Sequence, residues 1–300
     1  MWHPVSYGGD PSGTIHGEAL TRITLSPVPH LVRTLAHARM GNGDPCLQII
    51  GDSVWRATRT PHGLATERLR LTPAGEVEVE AWGPGADWLL ERAPALCGAL
   101  DTPATFQPDQ PLLRHLARRH PGLRIGRTEA VFETGLFVAL EQRVATHDAW
   151  HSWRLLVRAL GELAPGPQVG LWAPPSAERV ASTPYEVFHR FGVERRRTDV
   201  IRRMAVVARR LEETVALPLE AAYARLRAIA GVGPWTAARI AMIALGDSDA
   251  VALGDLHIPH LVTFALAGER RGSDERMLEL LEPYRGHRAR VIRLLMAGAR

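Results

Sequence analysis

The sequence predicts two unlike segments: an α+β N-terminal domain over residues 1–112, then an all-α domain over residues 113–300. Three observations carry this. Short apolar runs separated by turn residues crowd into the first third. Apolar residues recur at helical spacing through the remainder. Charge divides at the same place: residues 1–112 hold eight arginines against twelve acids, and residues 113–300 hold 28 against 20. A 300-residue chain suits about two domains, since domains commonly run ~100–200 residues.

The elements follow in order. Strands are expected at 23–25, 46–50, 54–59, 64–71 and 77–82. Turn signals separate them: Gly41-Asn42-Gly43-Asp44, Pro61-His62-Gly63 and Pro73-Ala74-Gly75. The alternation Glu76-Val77-Glu78-Val79-Glu80 reads as a half-exposed strand. Segments 28–40 and 86–99 read as helices, and a proline-bearing stretch over 101–111 closes this part. Helices are then expected at 128–142, 148–163, 184–191, 198–213, 219–229, 235–245, 257–267, 274–282 and 286–298, from apolar spacing and Pro/Gly breaks. No internal repeat or low-complexity segment is visible.

Composition narrows the function classes. Apolar residues make up 46% of the chain, yet no run of 18 apolar residues exists, so a membrane span is not expected. The start, Met1 to Gly13, lacks a basic-then-apolar signal pattern. A soluble cytoplasmic monomer, associated with the nucleoid, is the expectation. Cys46 and Cys97 are the only cysteines, too few for a four-cysteine iron–sulfur or zinc site, and read as buried reduced thiols. All 36 basic residues are arginine; there is no lysine. Residues 195–239 hold ten arginines against four acids, which suits a polyanionic partner or, alternatively, an ordinary solvated surface. The run Arg195-Arg196-Arg197 reads as a solvated face, and His147 and His151, beside Trp150 and Trp153, as packing residues rather than a metal pair.

The informative stretch is 219–261. Pro218 suits a helix start, and Leu219, Ala222, Tyr223, Leu226 and Ile229 fall at helical spacing. Gly231-Val232-Gly233-Pro234-Trp235-Thr236 follows, and then a second helix through Ile240 and Ile243. Glycines allow a tight turn and a close backbone approach. Free amides and the dipole at the second helix start favour a phosphate oxygen there. Such contacts position DNA without reading its sequence. Asp255 follows Gly233 by 22 residues, after the apolar Val251 to Leu253, and can face the same cleft. Asp247 and Asp249 read as turn or cap residues; Asp255 could also be only a cap for the next helix.

These residues resemble the helix-hairpin-helix DNA glycosylase superfamily, and within it DNA-3-methyladenine glycosylase II. The resemblance lies in Gly231 to Ala237, Asp255, Pro283-Tyr284-Arg285 and the upstream Ala139-Leu140-Glu141-Gln142-Arg143-Val144. It also includes a β-rich domain ahead of an all-α helix-hairpin-helix glycosylase core, and it covers most of the chain. It implies Asp255 as the catalytic aspartate, with Trp235 and Tyr284 in the base pocket. It implies that Gly231, Val232, Gly233 and Thr236 bind DNA phosphate, with Gln142 and Arg143 at the wedge that fills the flipped nucleotide's gap. Backbone carbonyls of Arg227, Ile229 and Val232 would bind a monovalent Na+ or K+; no cofactor is required. The sequence departs at three places: Arg143 where the wedge is often apolar, and Arg239 and Leu256 where aromatic residues are expected.

The implied reaction is hydrolysis of the N-glycosidic bond of damaged, alkylated purines in double-stranded DNA, by base flipping and water attack assisted by Asp255. A non-catalytic damage-recognition protein built on the same hairpin is the alternative; Asp255 separates the two, because a pure binder has no use for a carboxylate near phosphates. A bifunctional or iron–sulfur enzyme is disfavoured by the cysteine and lysine counts. The position two residues after Gly233, where lyases of this superfamily carry a lysine, is Trp235.

Overall fold

The computed structural model describes residues 19–298. The start of the chain, read above for a signal pattern, lies outside them. Five strands form one antiparallel sheet in the order β1-β5-β4-β3-β2: β1 (Ala19–Ile23), β2 (Leu47–Ile50), β3 (Ser53–Thr60), β4 (Gly63–Leu71) and β5 (Val77–Trp82). The register sets Val54 opposite Leu69 and Leu69 opposite Val79, so one face is a continuous apolar layer. Helices α1 (Leu31–Leu35) and α2 (Ala86–Leu96) cover that layer, burying Leu31, Leu35, Ala93 and Leu96 with it.

The other face departs from expectation. The glutamates of 76–80 alternate as read, but Glu78 is only 5% exposed. Arg22 (3.2 Å) and Arg70 (2.7 Å) close over its carboxylate, and Arg68 pairs with Glu80. On the helix-covered side, two residues along from Val54 and Leu69, Arg56 bonds Glu67 at 2.8 Å and lies 3.9 Å from Glu133, which also accepts the Thr58 hydroxyl. An alternating strand is therefore not an open one: arginine stems cover the polar rows.

Glu133 belongs to α4 (Val131–Leu140), where it is the single residue not buried. A helix apolar all round sits in the middle of its neighbours. Around it pack α5 (Thr146–Leu160), α6 (Ala177–Ser182), α7 (Tyr185–Arg190), α8 (Arg195–Val206), α9 (Ala208–Glu212), α10 (Leu219–Arg227) and α11 (Pro234–Ile240), with Trp153, Phe188, Met204, Leu226 and Ile240 in one core. Met40 and Cys46 of the N-terminal segment join the same core. Asp44 seals the joint by accepting the Trp153 indole N–H at 2.9 Å. His147 and His151 stay exposed, and His147 lies 3.1 Å from Asp148.

A second helical core joins α3 (Pro111–Arg119), α12 (Ile258–Ala267), α13 (Asp274–Leu281) and α14 (Arg288–Gly298) through Leu113, Val262, Met277 and Leu294. Helix α3 is absent from the sequence reading, which took the prolines near 111 as a break. Pro111 instead opens the helix, where no amide is needed, and the Gln110 side chain caps it by accepting from the Leu113 amide at 2.9 Å. Helix α6 and the small pair β6 (Glu162–Leu163) with β7 (Trp172–Ala173) are also beyond that reading. Cys46 and Cys97 are buried and free, as expected. Among the described residues no helix is long and apolar enough to cross a membrane, and no three His, Cys, Asp or Glu residues cluster to hold a metal.

Candidate active site and DNA-binding hairpin

The hairpin consists of α10, the turn Ala228 to Gly233, and α11. Its two glycines have different causes. Gly231 sits at φ +96°, and a Cβ there would come within 2.2 Å of Val200 Cγ2, so the turn demands glycine. Gly233 has an ordinary φ of −86°, and a Cβ on it would meet nothing within 4 Å. Nothing among the described residues requires glycine at 233; an outside group approaching the backbone would. The first bond of α11 is Ala237 N–H to Gly233 O, so the Trp235 and Thr236 amides precede it without intrahelical partners.

The hairpin is braced from two sides. Gln142, in the corner between α4 and α5, donates its Nε2 to Gly231 O (3.1 Å) and to Thr236 Oγ1 (2.9 Å). Arg203 donates to Ala230 O at 3.1 Å. Thr236 is 3% exposed, so its hydroxyl serves this internal brace, and its amide is what lies at the helix start. Beside Gln142, Arg143 is exposed and holds φ +54°, a left-handed backbone that costs an L-residue about 1–2 kcal/mol. A groove of about 480 Å³ runs along the hairpin, lined by Arg202, Arg203, Asp199 and Ile229 among others. Arg202 and Arg203 were legible only as part of the basic stretch.

Of the run 195–197, Arg197 is not a solvated residue. It is 5% exposed and donates to Leu140 O and Gly192 O, both at 2.9 Å, fastening the end of α4. Arg195 stacks over Tyr185 at 4.1 Å.

After Ile240 the expected helix widens into a π-turn over Ala241–Leu245 and stops at Gly246, φ +72°. The amides of Thr128 and Glu129 bond to Ile243 O (3.0 Å) and Ala244 O (3.1 Å) there. The chain then runs through Asp247 and Asp249, which do more than cap turns. Asp247 accepts the Tyr223 hydroxyl (2.7 Å). Asp249 accepts the Gly286 amide (2.7 Å) and an Arg288 ion pair (2.6 Å). Together they pin the loop that carries Asp255 between α10 and the start of α14.

Asp255 is half-buried and uses its oxygens differently. Oδ1 accepts the amides of His257 (2.8 Å) and Ile258 (3.0 Å) at the start of α12; Oδ2 accepts the Trp235 indole N–H at 3.0 Å. Capping is thus half of its role, and the other half joins it to the hairpin. Burial opposes its ionisation. The Trp235 indole, the two amides and Arg239 outweigh that and hold the carboxyl below the ordinary aspartate range. Trp235, whose body packs on Ala238, Ala250, Ala252 and Ala289, is therefore a fixed donor to the carboxylate as well as an aromatic wall.

The structure brings Asp255, Trp235, Thr236, Gln142 and Gly231 into one connected set. Tyr284 is half-buried against Phe106 (6.3 Å between rings) on a short 3-10 turn, outside the hydrogen-bonded set; it packs in the same apolar cluster as Val251 and Leu253 of the Asp255 loop, and Asp249 bonds the Gly286 amide just after it. Leu256 is 74% exposed. A feature outside the sequence reading is the pair Arg239–Glu141 at 2.8 Å, with the Arg239 guanidinium 5.9 Å from the Trp235 ring centre.

Most of the chain superposes on solved structures. A 3-methyladenine DNA glycosylase from Archaeoglobus fulgidus matches with a TM-score of 0.76 at 20% identity, over 93% of this chain and 98% of that one. A structure of MBOgg1 with a low-affinity DNA ligand matches at 0.70 and 15% identity, over 97% of both chains. The fold is that of the helix-hairpin-helix DNA glycosylases. An 8-oxoguanine glycosylase/lyase from Clostridium acetobutylicum, in complex with double-stranded DNA, also carries this glycosylase fold, at TM-score 0.60 and 15% identity over 84% of this chain and 97% of that one. No profile of a known protein family and no curated protein sequence matches the chain.

Proposed function

We propose that this chain is a monofunctional DNA glycosylase that flips a damaged purine out of duplex DNA and hydrolyses its N-glycosidic bond. The observation that carries the reading is the Trp235–Asp255 bond. It sets an ionised, half-buried carboxylate directly against the first turn of the hairpin's second helix. The open backbone at Gly233 and the amides of Trp235 and Thr236 would take a phosphate. Arg202, Arg203 and the basic stretch around them add a phosphate-attracting field. Flipping costs a few kcal/mol, least for damaged or mispaired bases. Arg143, exposed at its strained corner beside the hairpin brace, is suited to fill the gap left in the stack.

Breaking the glycosidic bond leaves positive charge on the sugar. A carboxylate whose orientation is fixed by three donors stabilises that charge without reorganising, and it can orient the attacking water. Alkylated purines are the substrate class that the sequence resemblance implies. The hairpin carbonyls of Arg227, Ile229 and Val232 are uncharged oxygen donors, a set suited to Na+ or K+ rather than to a transition metal. When bound, such an ion would add positive potential beside the phosphate. Asp255 also favours an enzyme over a purely binding protein: an ionised carboxylate beside a phosphate site weakens DNA binding.

The decisive experiment is Asp255→Asn, which deletes the charge and keeps the shape. Under single-turnover conditions, base release is expected to fall by at least about 100-fold while lesion-DNA binding persists. Near wild-type release would remove Asp255 from the mechanism.

A further inference from the structure

Arg239 lies one helical turn after Trp235 on α11, on the same face, and is mostly buried, as is Glu141. One guanidinium nitrogen, Nη2, bonds Glu141 at 2.8 Å. The Arg239 Nε is buried and, like five other arginine Nε atoms, has no acceptor among the described residues. Buried donors are almost always satisfied, and each exception calls for an explanation. Next to it, the Trp235 ring has its N–H committed to Asp255 and a guanidinium 5.9 Å from its centre.

This arrangement has a consequence for which base can sit against Trp235. A site selecting a cationic base does so with open aromatic faces, because the negative face of the ring attracts the cation. Here that face is already shared with a cation that belongs to the protein, so the ring offers a second cation less attraction. A neutral base carrying a carbonyl meets the opposite situation. Its O6 and N7 acceptors suit an arginine fork, and a neighbouring carboxylate can accept a ring N–H.

We infer that Arg239 and Glu141 are specificity-determining residues that read the edge of the flipped base and select neutral purines bearing a 6-carbonyl, as deamination or oxidation produces, over cationic alkylated purines. This rests on the glycosylase reading and departs from the alkylated class that the resemblance implies. Undamaged guanine shares the edge but is held in the duplex by its pairing, whereas a mispaired deaminated base flips at lower cost.

The test uses three duplexes: hypoxanthine opposite thymine (neutral, 6-carbonyl), 1,N6-ethenoadenine opposite thymine (neutral, no carbonyl) and 7-methylguanine opposite cytosine (cationic). Single-turnover release is measured for the wild type, Arg239→Tyr, Arg239→Lys and Glu141→Gln. Ratios of rates within one preparation do not depend on the fraction folded. The wild type should release hypoxanthine fastest. Arg239→Tyr should lower the hypoxanthine to 7-methylguanine ratio by about tenfold or more, the scale of a lost bidentate contact. Arg239→Lys should slow hypoxanthine while still disfavouring 7-methylguanine, because it keeps the charge and loses the fork. A wild-type preference for the cationic base, or a ratio that Arg239→Tyr leaves unmoved, overturns the inference. Release of none of the three bases overturns the glycosylase reading itself.

Discussion

One oxygen of Asp255 holds the start of a helix and the other holds an indole, so its position is set from both sides. Removing the indole donor should therefore show in the pH profile. Asp255 has a depressed folded value, so its carboxylate form persists above that value and is lost as pH falls through it. Trp235→Phe removes one of the groups that depress it. The acid limb of excision should move to higher pH, with a lower plateau; a limb that stays in place would mean that the indole does not tune the carboxylate. Arg143 makes a different prediction, because its strained backbone is not needed for packing. Arg143→Gly relieves a left-handed conformation and should raise stability by up to about 1 kcal/mol. It should at the same time weaken lesion-DNA binding. Thermal denaturation alongside binding isotherms reads both, and unchanged binding would exclude Arg143 as the wedge. Some of these residues were legible in advance. Asp255 was, from its spacing to the glycines. The brace made by Gln142 and the Arg239–Glu141 pair were not, because their partners lie 89 to 98 residues away along the chain.

At the scale of elements, the hairpin separates folding from binding. Gly231→Ala places a Cβ at positive φ against Val200, so the variant should lose stability by about 1–3 kcal/mol. Gly233→Ala meets no clash and has an ordinary φ, so it should fold as the wild type does and bind all duplexes more weakly, with a shallower salt dependence. Denaturation and salt-titrated binding on the two variants check this; equal behaviour would deny the division. Strands β2 to β5 and most helices were readable from apolar period, since that period reports which face is buried, whereas β1 ends where the expected strand at 23–25 begins. Helix α3 was not, because a proline at a helix start and a proline at a helix break are the same letter. The π-turn after α11 was also hidden. Its widened carbonyls are satisfied by amides at 128 and 129, a contact that no local pattern announces.

For the whole molecule, one chemical fact is fixed by composition. Glycosylases that also cut the strand attack C1′ with an amine, and this chain has no lysine to supply one. On the proposed reading, water oriented by Asp255 would be the nucleophile and an intact abasic site the product. Incubation with lesion DNA and borohydride should trap no protein–DNA adduct through a side chain, and strand breaks should appear only after alkali. Strand cleavage keeping pace with base release would overturn the monofunctional reading. The N-terminal segment and the helices share a core through Met40, Cys46 and the Asp44–Trp153 bond.

By itself the sequence determined most element types, the hairpin, the carboxylate spaced for it, the absence of lysine and the basic character of the helical part. All of these are local or compositional properties. Only the tertiary structure decided that Asp255 is held by Trp235, that Thr236 and Arg197 face inward, that Glu78 is covered, and that a guanidinium shares the aromatic wall. The physical reason is the same in each case. Hydrogen bonds and ion pairs of polar side chains depend on which distant partner the fold delivers, and a buried donor reads in sequence just as an exposed one does.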